Sequence, residues 1–180
     1  MSTRALYTII DADTKAAPAV KSNYGTFRAI KASKGDAWNV YIHMDGNPTG
    51  AADYVTAALG YAWNLPRFEA DEFAAALCAA AKEYIPASKA KYAGSGGGNA
   101  RFMPQGKALV VAARHCADIQ YRYDIRGTGV KAYSVDIDWP AKGKKAKPIK
   151  EHLLFKCSIA EFKATAHAWE EEEARQNDTL

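Results

Sequence analysis

The chain predicts an α+β fold: a mainly antiparallel sheet with two helices packed on one face and a C-terminal helix. Three observations carry this. Strand-like alternation opens the chain, two consecutive segments of helical spacing follow, and alternation returns before a last helical stripe. At 180 residues, one domain is expected.

ALYTIID (5–11) is rich in aromatic and β-branched residues and reads as the first strand. Residues 12–26, with Pro18 and Gly25, read as a loop, and FRAIKAS (27–33) as a weaker strand. WNVYIHM (38–44) is a clearer one: Trp38, Val40, Ile42 and Met44 alternate against Asn39, Tyr41 and His43. Asn47 suits an N-cap and Pro48 a first helical position, and Ala51, Val55, Leu59 and Ala62 give a helix over 48–63. Phe73, Leu77, Ala80, Ala81 and Tyr84 predict a second over 69–85, ended by Pro86. KYAGSGGGNA (91–100) is a glycine-rich loop, and NARFM and ALVVAA (108–113) are short strand candidates. IQYRYDI (119–125) and residues 130–139 alternate on either side of Gly127-Thr128-Gly129, which predicts an antiparallel hairpin. HLLFKC follows as a last strand. Ser158 and Glu161 then form a capping box ahead of a helical stripe, Ile159, Phe162, Ala166 and Trp169, and the acidic end at 170–180 is expected to fray.

The net charge of +4 is concentrated: residues 141–156 hold six lysines and one glutamate. Cys78, Cys116 and Cys157 are odd in number and far apart, which predicts free thiols in a reducing cytoplasm, with Cys78 buried in the second helix. No apolar run reaches the ~20 residues of a membrane span, and MSTRALYTIID lacks the regions of a secretory signal. No membrane partner is expected.

Chemistry concentrates in YIHMDGNPTG (41–50). His43 and Asp45, two apart, suit a metal, or a base with its orienting partner, or a plain turn in which Asp45 bonds a nearby amide. The other histidines, His115, His152 and His167, form no close-spaced ligand pair with one another or with Cys116 and Cys157, so no metal and no cofactor are expected. GSGGGNA (94–100) lacks the Gly-Lys-Ser/Thr of a phosphate loop and reads as a hairpin or lid; no serine stands in a G-x-S-x-G. Lys142, Lys144, Lys145, Lys147 and Lys150 suit contacts to nucleic-acid phosphates, or a solvated loop between strands.

RALY followed by YIHMDGNPTGAA resembles a group of small phage and prophage proteins that carry a Tyr-x-His-x-Asp-Gly-x-Pro signature. The likeness covers roughly residues 4–125, with Met44 and Asn47 where the group commonly has aromatics, and 27–33 as an insertion. The resemblance implies action inside an infected bacterium and singles out Tyr41, His43, Asp45, Gly46 and Pro48. The leading expectation is an accessory protein that binds a host protein, such as a component of a defence system, with Tyr41, His43, Asp45, Gly46 and Asn47 as the contact. The alternatives are a metal- or base-dependent hydrolase of a nucleotide or phosphodiester centred on His43 and Asp45, and a sequence-tolerant nucleic-acid binder using the lysine segment. Tyr41 and His43 are expected on one sheet face, beside a helix N-terminus capped by Asn47, where an anionic group of the partner would sit.

Overall fold

The structure, a computed structural model, describes residues 3–23, 25–43, 45–62, 68–83, 101–103, 119–136 and 149–178. Its elements are β1 (Arg4–Ile10), β2 (Val20–Ser22), β3 (Gly25–Phe27), β4 (Ala37–Ile42), α1 (Pro48–Ala62), α2 (Ala70–Glu83), β5 (Arg101–Met103), β6 (Ile119–Arg126), β7 (Gly129–Asp136), β8 (Lys150–Cys157) and α3 (Phe162–Asn177). The fold is α+β. Among the described residues, one six-stranded sheet runs β5-β4-β1-β6-β7-β8, and β2 and β3 form a second, two-stranded one.

The sheet is mixed. Every pairing in it is antiparallel except β1 with β6, which run parallel at its centre. A parallel neighbour needs a long crossover, and the chain between β4 and β6, which includes α1 and α2, supplies it. The β6–β7 hairpin expected from alternation is present, with Ile125 opposite Val130. Ala5, Tyr7, Ile9, Val40, Ile42, Tyr123, Ile125 and Ala132 send their side chains to one face and form a single core with α1, α2, Phe162 and Ala166.

Two helices were expected directly on the sheet; the layer is less uniform. α2 lies against β1 and β4, α1 lies against α2 and α3, and α3 reaches β8. Alanine makes this possible: Ala51, Ala52, Ala58, Ala70, Ala74, Ala80 and Ala81 are buried, so the helices approach closely. α3 continues to Asn177, so the acidic end is helical further than expected. The Ser158–Glu161 box is formed: the Ser158 hydroxyl donates to Glu161 Oε2 at 2.7 Å, and the Glu161 N–H donates back to Ser158 Oγ at 3.2 Å. At α2 the cap comes from far away, the Ala70 N–H donating to Asp11 Oδ1 at 2.7 Å. Cys78 and Cys157 are free, but Cys78 is only half-buried, because it stands at the margin of the α2 core stripe.

Residues 12–33 depart most from expectation. They are neither a plain loop nor a strand over 27–33. The β1–β4 pairing continues past Ile10↔Ala37 through the Asp11 N–H to Asp36 O bond, then Thr14↔Ser33, Ala17↔Ile30 and Val20↔Phe27, to Ser22↔Gly25. The register never slips. Almost every described residue of this stretch is exposed, so β1 and β4 extend beyond the sheet as a two-stranded arm. The expected strand at 108–113, the glycine-rich loop, and residues 137–148, the approach to and body of the lysine segment, lie outside the described residues.

Candidate functional site

The YIHMDGNPTG signature is a corner between sheet and helices. Alternation sends Val40 and Ile42 into the helix-facing core and Tyr41 and His43 to the opposite face. There the Tyr41 hydroxyl lies 2.7 Å from His43 Nδ1, and Arg4 Nε, from the neighbouring strand, donates to the same nitrogen at 3.2 Å. A guanidinium has only donors, so Nδ1 presents its lone pair and Nε2 carries the proton. Tyr41 is fully buried.

Past His43 the chain folds over the end of the sheet. Asp45 has a positive φ of 55°, a conformation aspartate tolerates better than most residues. Gly46 lies flat on β1: a Cβ there would stand 2.6 Å from that of Ala5. Both of its backbone groups are satisfied, the N–H by Thr3 O at 2.9 Å and the carbonyl by the Tyr123 hydroxyl at 2.8 Å. Burial pushes the Tyr123 and Tyr7 phenols well up, so both remain protonated. Their rings stack at 5.1 Å, yet the buried Tyr7 hydroxyl has no hydrogen-bond partner among the described residues.

Asn47 precedes α1, as expected, but its side chain does not cap the helix amides. Its Nδ2 donates to Thr49 Oγ1 and to Glu170 Oε1, each at 2.9 Å. The capping group is Glu170 itself, from α3: the Thr49 N–H donates to Oε1 and the Thr49 hydroxyl to Oε2, each at 3.0 Å. Two expectations fall here. The α1 N-terminus already holds an internal carboxylate, and His43 lies on the other side of the sheet from it. Alternation, which sends residues 41 and 43 away from the helices, is the reason.

On the face away from the helices, Arg122 is saturated: it meets Glu151 with two bonds of 2.7 and 2.8 Å, bonds Asp124, and lies 4.3 Å over the Tyr133 ring. Beside it a groove of about 410 Å³ is lined by Arg126, Thr128, Lys131, Lys156 and Asp124. Among the described residues no three His, Cys, Asp or Glu side chains converge as a metal site, and no helix is long and apolar enough to cross a membrane. Of the lysines in 141–156, Lys150, which opens β8 opposite Asp136, and Lys156 are described; Lys142, Lys144, Lys145 and Lys147 lie outside the described residues. Compared with known families, curated proteins and solved structures, the chain matches none.

Sequence reasoning missed Arg4, Glu170, Tyr123 and the groove cations. For the strand residues the signal is alternation on strands whose partners are not evident until the sheet is assembled; Glu170, on α3, carries none.

Proposed function

We propose that the protein is a phage accessory protein that acts by binding, in the cytoplasm of an infected bacterium, to inhibit or redirect a host protein such as a defence component. The observation that supports binding over catalysis is the state of His43. A general base or a metal ligand must offer a nitrogen lone pair. At His43 that lone pair accepts from Arg4 and Tyr41, and the other nitrogen holds the proton. Asp45, Gly46 and Asn47 serve the turn and the start of α1. The phage assignment rests on the resemblance of RALY and YIHMDGNPTG.

The test pairs a pull-down from lysate of a bacterial host with a turnover screen over nucleotides and phosphodiesters. The expected result is a stoichiometric complex with one host protein, kept by His43→Ala, and no turnover by the wild type. Turnover that His43→Ala abolishes would overturn the reading in favour of the hydrolase.

A further inference from the structure

We propose that the β-arm and the adjoining groove form an interface for double-stranded nucleic acid, the arm lying in a duplex groove and the groove cations on its phosphates. This is independent of the host-protein reading, and purified components test it separately.

Charge comes first. Residues 12–33 hold Lys15, Lys21, Arg28 and Lys31 against one acid, Asp13, while the whole chain has 24 basic and 20 acidic residues. The arm thus carries a net charge of +3, against +4 for the chain. Lys34 pairs with Asp13 at the root; Lys15, Lys21, Arg28 and Lys31 make no ion pair with any described residue. Charge on exposed strand edges also deters aggregation, and lysine is a common choice there; the arm's one acid, Asp13, is paired with Lys34.

Shape comes second. A two-stranded ribbon fits the ~12 Å major groove of a duplex. Legs of about ten residues reach some 30 Å from the sheet at the strand rise, along which a duplex presents a charge every ~1.7 Å. Val20 and Ile30 are exposed, and the register puts them on opposite faces of the arm.

The groove adds cations of its own beside the arm's root. Parallel pairing brings the end of β6 beside the end of β1, and Arg126 is near enough to act on the Asp13 carboxyl at the arm's root. In the groove Lys131 and Lys156 face each other directly across the strands, a pairing of like charges that costs stability. Asp124, opposite Lys131, is taken by Arg122 instead. Lys131, Lys156 and Arg126 have no ion-pair partner among the described residues. Backbone phosphates would satisfy all three.

The experiment is fluorescence anisotropy with a labelled 20-base-pair mixed-sequence duplex and with labelled oligo(dT), over a salt series. The variants are Lys15→Gln/Lys21→Gln/Arg28→Gln/Lys31→Gln in the arm and Lys131→Gln/Lys156→Gln in the groove. The wild type should bind the duplex more tightly than oligo(dT), with affinity falling steeply with salt. The arm variant should lose on the order of 100-fold at moderate salt, its log–log salt slope becoming shallower by about three to four. The groove variant should lose less, about tenfold, with a slope change near two. Both should melt no lower than the wild type, because the charges removed have no ion-pair partners among the described residues. Tighter binding to oligo(dT), no duplex binding at low salt, or full binding by the arm variant would each overturn the proposal. The last would place binding in the lysine segment.

Discussion

Two tyrosines stacked on each other make opposite use of their hydroxyls. Tyr123 donates to the carbonyl of Gly46, while the buried Tyr7 hydroxyl has no hydrogen-bond partner among the described residues. A buried hydroxyl without a partner carries a desolvation cost of about 1–3 kcal/mol, whereas a made bond contributes about 1 kcal/mol net. Tyr7→Phe should therefore be neutral or stabilise the protein by about 1 kcal/mol, and Tyr123→Phe should destabilise it by about 1–2 kcal/mol, since it strands a buried carbonyl. Urea unfolding of the two variants gives the comparison. Equal losses would mean that Tyr7 has a partner after all. At this scale the sequence was partly legible. Alternation put Tyr41 and His43 on one face, but nothing local to either could indicate that Arg4 would take the lone pair of His43.

The helices of this fold borrow their caps. Glu170 stands 121 residues from the Thr49 amide it accepts from, and Asp11 stands 59 residues from that of Ala70. A carboxylate at a helix N-terminus meets free N–H groups and the positive end of the dipole. Glu170→Gln should cost about 1–2 kcal/mol and Asn47→Ala less, with Glu171→Gln, on the exposed side of α3, near zero. Thermal melts rank the three. The Ser158–Glu161 box offers a pH test. Bonds from the Ser158 hydroxyl and N–H hold the Glu161 carboxyl below its ordinary value of 4.5. Its folded pKa is thus below its unfolded one, so its contribution is present above about pH 4.5 and is lost as pH falls through the lower, folded value. Ser158→Ala should return the Glu161 titration, followed by carboxyl-carbon NMR, toward 4.5. Periodicity located α1, α2, β4, β6 and β7 to within a few residues, because each buries one face. The borrowed caps were not legible, since a cap supplied by another element leaves no mark beside the helix it caps.

Among the described residues, the molecule is a sheet whose central strand, β1, is paired on both sides and whose arm is almost wholly exposed. Hydrogen exchange should follow that division: β1 amides opening only with global unfolding, and β2–β3 amides exchanging at far lower cost, since isolated two-stranded hairpins are marginal in water. Comparable protection in both would contradict the arm's independence. The α+β class was legible from the order of periodicities. The parallel β1–β6 pairing was not, because strand partners far apart in sequence are chosen by the assembled core and not by either strand.

The unbroken register of the arm also sets the order in which the chain assembles. β1 and β4 are neighbours in the sheet, yet residues 11–36 intervene, and a marginal arm gives those residues little reason to zip first. The chain must therefore close a wide gap before its central pair can form. Replacing residues 15–32 with Asn-Gly would join Thr14 to Ser33, already a cross-strand pair, by a two-residue turn suited to the strand twist. That shortens the intervening chain to well under half its length, roughly 0.8 kcal/mol of closure entropy. In stopped-flow refolding the shortened chain should fold several times faster while unfolding at its old rate, so the arm is carried at a cost in folding speed.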